Sequence, residues 1–85
     1  MIIYKVTNSL NGKIYIGQTK QSLSIRKKGH LHDAFHGNTE RNYFHWALLE
    51  YGAEHFIWEV LDKCDSQDKL NEKEYYYIQQ YRSND

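Results

Sequence analysis

Two short stretches of strand composition, IIYKVTN at residues 2–8 and KIYIGQT at 13–19, are separated only by SLNG. β-Branched and aromatic residues favour extended backbone, and Asn11-Gly12 supplies the turn chemistry that joins two strands tightly. The chain therefore begins as an antiparallel hairpin. Side chains alternate faces along a strand, so an even-numbered loop puts Tyr4 and Tyr15 on one face. A four-residue loop, Asn8 to Asn11, sets them directly opposite; a two-residue Asn-Gly loop keeps the shared face but offsets them along the ladder. A cross-strand aromatic pair, worth roughly 0.2–1 kcal/mol, is one reason for the arrangement. Gly17 falls on the same face. Glycine within a strand marks a bulge or a close approach, here the approach of a backbone phosphate or a bend before the first helix.

The rest of the chain has to pack on that hairpin. A helix is expected from Ser22 to Phe35, HGNTE forms a polar connection, and a second helix runs from Asn42 to Tyr51 with Gly52 at its C′ position. Residues 55–61, HFIWEVL, form a third strand, whose nearly continuous apolar run predicts a central position in the sheet. Ser66 suits an N-cap, and a last helix covers Asp68 to Tyr81. The order ββααβα gives an α+β fold, a small sheet with helices packed on its faces.

Eighty-five residues make one small domain, with eight tyrosines, three phenylalanines and two tryptophans to fill its core. The single cysteine, Cys64, forms no internal disulfide, which fits a reducing, intracellular compartment, cytoplasmic or nucleoid-associated. No apolar run approaches the ~20 residues of a membrane span. Net charge is zero but uneven, +5 over residues 1–45 and −5 over 46–85. A phosphate-bearing partner would meet the first half. Strong binding by counterion release needs roughly six or more neutralised phosphates, which a neutral chain does not supply alone.

Arg26 and His30, four apart on the first helix, lie on one face ~5–6 Å apart at Cβ. Arg26 can grip a phosphate oxygen, and His30 can move a proton near neutral pH. A solvated surface pair is the plain alternative. Lys27 falls in the apolar row of Leu23, Leu31 and Ala34 and is expected to snorkel. Gly29 sits mid-helix at a cost of ~1 kcal/mol relative to alanine. In the last helix Leu70, Glu74, Tyr77 and Tyr81 form one inward stripe, so a carboxylate occupies a core-facing position. It must find a cation, hydrogen-bond donors or a metal. His30, His32 and His36 do not make a zinc site, because residues two apart on a helix point about 200° from each other. His45 and His55 carry no motif.

Together these residues resemble the GIY-YIG nuclease family. The half-motifs are IIY at 2–4 and YIG at 15–17, followed by Arg26, His30 and then Glu74 within LNEKEYYYI; ALLEYGAEHFIWEVL at 47–61 is similar to the helix–glycine–strand stretch of the homing-endonuclease branch. The resemblance spans essentially the whole chain. It implies a three-stranded antiparallel sheet flanked by three helices, one Mg²⁺ or Mn²⁺, and hydrolysis of a DNA phosphodiester. By the same resemblance one motif tyrosine, Tyr4 ahead of Tyr15, activates the water, the other and His30 position or assist, Arg26 stabilises the phosphorane, and Glu74 holds the metal. Gly17, Lys27, Lys28 and Asn42 are the candidate substrate contacts. Ile2 replaces the glycine of the first half-motif. Thr39 falls where homing-type members have a further histidine, with His36 or Asn42 as possible substitutes. The chain stops at RSND, where members often continue into a GYN segment; either the module is truncated or that support is absent, with Asn84 as a stand-in. Targeting then falls to another domain or partner protein. A catalytically silent DNA- or protein-binding module is the competing reading, and the intact set of five motif residues argues against it.

Overall fold

The computed structural model describes residues 1–36 and 43–81. Strand β1 (Ile2–Asn8) and strand β2 (Ile14–Thr19) form the hairpin, followed by helix α1 (Leu23–Phe35), helix α2 (Tyr43–Tyr51), a single 3₁₀ turn (Ala53–His55), strand β3 (Phe56–Lys63) and helix α3 (Gln67–Tyr81). The sheet is antiparallel throughout, with strand order β2-β1-β3.

The hairpin has an even loop, but not in either expected register. Asn8 N–H donates to Lys13 O at 2.9 Å and Gly12 N–H to Asn8 O at 2.7 Å, which closes a loop of Ser9 to Gly12. The Asn8 side chain accepts from Leu10 N–H and that of Asn11 from Lys13 N–H, both at 2.9 Å. These two side-chain turns, with Gly12 at φ 76°, move the loop one residue beyond Asn8–Asn11. Tyr4 and Tyr15 share a face, as expected. Tyr4 stands opposite Gly17, however, and Tyr15 opposite Val6.

The third strand is an edge strand, contrary to its expected central place. Helices α1 and α2 both pack on one face of the sheet, and β3, which follows them, pairs with the free side of β1, so β1 becomes the middle strand. The apolar run of β3 divides between the faces. Phe56 is buried, while Ile57 and Val60 are about half exposed. Leu61 is accommodated where the register shifts between Ile3 and Tyr4. Ser9 N–H to His55 O and Cys64 N–H to Met1 O, both 2.9 Å, extend the pairing at the two ends.

The two faces carry separate cores. On one, Tyr4, Val6, Tyr15 and Phe56 pack beneath Ala34 of α1 and Phe44, Ala47 and Leu48 of α2. On the other, Ile3 and Ile16 pack beneath Leu70 of α3, with Leu61, Tyr77, Ile78 and Tyr81 around them. The helix ends follow the sequence. Ser22 accepts from Ile25 N–H as N-cap of α1, and the Ser66 hydroxyl accepts from Lys69 N–H at the start of α3. Gly52, at φ 91°, follows α2 and bonds back to Leu48 O. Among the described residues no helix is long and apolar enough to cross a membrane.

Candidate active site

The site grows from the pairing of Tyr4 with Gly17. Because Gly17 has no side chain, the end of the Tyr4 ring lies directly over it, and a Cβ there would collide with the Tyr4 ring carbon and hydroxyl. The close approach that a strand glycine signals is thus made by the tyrosine. The ring is buried and stacks on Trp58 at 6.3 Å between centroids. Its hydroxyl lies over β2, the edge strand opposite β3.

Helix α1 brings two partners to that hydroxyl. His30 Nε2 lies 2.7 Å from Tyr4 Oη, and Arg26 Nε–H donates to Tyr4 Oη at 3.4 Å. The four-residue spacing puts both side chains on one face of α1, and α1 packs against the tyrosine face. His30 is buried rather than solvated, at 6% exposure. It sits against the rings of Phe44, at 5.0 Å and 75°, and Trp58, at 5.9 Å. Burial, the Arg26 charge and then His45 push the His30 pKa down to about 4, against a smaller opposing pull from Asp33. The ring is neutral at pH 7.

A second histidine completes the line. His30 Nδ1 lies 2.7 Å from His45 Nε2, and His45 is itself buried. The two rings meet edge-on at 5.0 Å and 71°. Tyr4, His30 and His45 form a continuous buried hydrogen-bonded row. His45 carries no role legible in the sequence, because no local spacing ties residue 45 to residue 30. The one available signal is a polar residue amid the apolar residues Phe44, Trp46, Ala47, Leu48 and Leu49.

Tyr15 shares the face but stands apart from the row. It is 2% exposed and its ring packs on Phe44 at 4.8 Å. Both phenols are therefore buried in the core beneath α1 and α2, not set in an open pocket. Lys27 is exposed with its ammonium 5.8 Å from the Trp58 ring, and Lys28 is exposed beside it. Asn42, Thr39 and Asn84 lie outside the described residues.

Glu74 comes from the other side of the sheet. It is half-buried on α3, the helix that packs on the face away from the tyrosines. Asn71, three residues earlier, accepts from the Gln18 amide at 3.0 Å, and Gln67 donates to Gln18 at 2.7 Å. Residues three and four apart share a helix side, so the side carrying Gln67, Asn71 and Glu74 runs along β2. Gln18 adjoins Gly17, and β2 has a free edge. The lysine next in sequence is engaged elsewhere, with Lys73 Nζ 3.0 Å from Asp62. That lysine is the main reason the Asp62 pKa is lowered.

A single carboxylate is a specific kind of metal donor set. Among the described residues no cluster of three or more His, Cys, Asp or Glu could hold an ion. One carboxylate suits a hard divalent ion that keeps several waters and takes substrate phosphate oxygens, the habit of Mg²⁺. It does not suit a closed zinc site.

The family model for the GIY-YIG catalytic domain matches residues 1–85. The chain belongs to the GIY-YIG family. Among solved structures, the catalytic domain of homing endonuclease I-TevI superposes on this GIY-YIG domain with a TM-score of 0.83 at 25% identity, over 96% of this chain and 88% of that one. A glutamate-to-alanine mutant, the catalytic domain of intron endonuclease I-TevI, gives a TM-score of 0.82 at 25% identity over 94% of this chain and 81% of that one. No curated protein sequence matches. The three-stranded antiparallel sheet with three helices in the order ββααβα is the fold of the I-TevI domain. This GIY-YIG domain is a nuclease catalytic domain of the homing-endonuclease type.

Proposed function

We propose that the domain hydrolyses DNA phosphodiesters with a divalent ion held at Glu74, and that it depends on another domain or partner for its choice of target. The single observation that carries the reading is the Tyr4 hydroxyl, set between His30 Nε2 at 2.7 Å and Arg26 Nε at 3.4 Å.

An ordinary phenol has a pKa near 10, roughly three units above neutral, or ~4 kcal/mol against ionisation at pH 7. Hydrogen bonds donated to its oxygen, and a cation beside it, favour the phenolate. In this reading the Tyr4 oxygen takes the proton of the attacking water. Arg26 serves twice, supporting the Tyr4 oxygen and balancing the charge that builds on the phosphorane. Glu74 would hold Mg²⁺ or Mn²⁺, and the bound ion would neutralise charge on the phosphate and its leaving oxygen. Tyr15, buried against Phe44, orders the floor under the site. Lys27 and Lys28, exposed on α1, meet the phosphate backbone.

The dependence on a further DNA-binding element rests on charge. The chain is neutral overall and its acidic half is the second half. Phosphate contacts from α1 are too few for tight binding.

Plasmid nicking in Mg²⁺ tests the reading. The parent chain should nick supercoiled plasmid. Tyr4→Phe, Arg26→Ala and Glu74→Ala should each lose about 10²-fold or more of that rate. Binding of DNA by the parent without any nicking would reject catalysis and support a silent module. Undiminished nicking by Glu74→Ala would reject Glu74 as the metal holder.

A further inference from the structure

We propose that His45 is a positioning residue: its Nε2–H donates to His30 Nδ1 and so fixes His30 as the tautomer whose Nε2–H donates to the Tyr4 oxygen. This rests on the reading of Tyr4 as the base, and it adds a residue for which neither the motif nor any local spacing provides.

A neutral imidazole has one N–H and one acceptor nitrogen. Both His30 nitrogens are engaged at 2.7 Å, to Tyr4 and to His45. The two hydrogen bonds must therefore run in one direction along the row. Either His45 donates to His30 and His30 to Tyr4, or Tyr4 donates to His30 and His30 to His45.

The surroundings of His30 decide between them. Arg26 and Asp33 face it from α1, Phe44 and His45 from α2, Tyr4 from β1 and Trp58 from β3. Burial and the guanidinium keep the ring neutral, so a Tyr4 proton aimed at Nε2 would be shared in a hydrogen bond but not taken, and Tyr4 would stay a phenol. In the opposite direction the phenol oxygen receives two N–H donors, from His30 and Arg26. Its own proton is then turned away from the row, and its anion is stabilised. Only that direction serves a base, and His45 sets it from α2. The tautomer of an oriented histidine follows the hydrogen bond made by its other nitrogen.

Two measurements on the full chain test this. ¹⁵N-resolved imidazole NMR at neutral pH should show His30 in the wild type with the proton on Nε2 and Nδ1 unprotonated. His45→Gln keeps an amide donor and should keep that tautomer; His45→Phe should lose it, giving a mixture. The pH profile of plasmid nicking is the second readout. In His45→Phe its acid limb should move about one unit upward, with roughly tenfold slower nicking at pH 7, and His45→Gln should recover most of that loss. A wild-type His30 protonated on Nδ1 would overturn the proposal, as would an unchanged tautomer in His45→Phe. The wild-type spectrum decides even if His45→Phe does not fold. Nicking by Tyr4→Phe separates this inference from the reading beneath it. If Tyr4→Phe remains active, Tyr4 is not the base whatever the tautomer; if it is inactive and the tautomer is wrong, the inference alone fails.

Discussion

Gly17 and Gly29 look alike in the sequence, each a glycine inside a regular element, and the structure gives them opposite roles. At Gly17 an added Cβ would overlap the end of the Tyr4 ring, which is held by His30 and Trp58 and has nowhere easy to go. Gly17→Ala should displace the hydroxyl, slow nicking by about 10²-fold and cost about 1–3 kcal/mol by overpacking. At Gly29 nothing lies within 4 Å of the added Cβ. Gly29→Ala should instead raise stability by roughly 0.5–1 kcal/mol in urea unfolding. At this scale the site was half legible. Strand alternation put Tyr4, Tyr15 and Gly17 on one face, and helical spacing put Arg26 with His30. The register of Tyr4 against Gly17 was not legible, because two Asn side-chain turns fix the loop. Nor was His45, since the packing of α1 on α2 alone brings residue 45 to residue 30.

Elements with strong local signals appeared where the sequence put them: a hairpin around Asn11-Gly12, α1 after Ser22, and α2 ended by Gly52. The place of β3 was misread because apolar content reports total burial and not which edge a crossover reaches. Its Phe56 is buried while Ile57 and Val60 are about half exposed. Helix α3 shows how an element is tied to the site. Leu70, at 1% exposure, plugs it onto Ile3 and Ile16, and Lys73 and Tyr77 both bond Asp62. Leu70→Ala should cost about 2–5 kcal/mol. Amide exchange should show protection lost first in α3, and nicking should fall with it, because α3 carries Glu74. Loss of protection beginning in the hairpin instead would mean that α3 is not docked through Leu70.

Across the whole molecule the pH dependence of stability follows from where its titrating groups sit. His30 has an ordinary value of 6.5 when unfolded and about 4 when folded. Between those values the unfolded chain binds the proton and the folded chain does not, so stability rises with pH through the interval. The His30 contribution is fully present above pH 6.5, shrinks as pH falls, and is gone below about 4. Integrated over the window and discounted for residual solvent screening, it is on the order of 2 kcal/mol. Asp62 acts in a separate window. Its value is lowered from 3.8, chiefly by Lys73, so its contribution is present above 3.8 and is lost only at more acid pH. Urea unfolding at pH 7, 5.5 and 4.5 should therefore show a progressive loss before Asp62 protonates. His30→Gln should flatten that slope while leaving the Asp62-linked loss below pH 3.8. An equally steep slope in His30→Gln would mean that the buried row does not carry the effect. Loss of nicking through this row should come at the lower end of that window, near pH 4, because a charged His30 has no acceptor nitrogen for His45 Nε2–H and breaks the row from within.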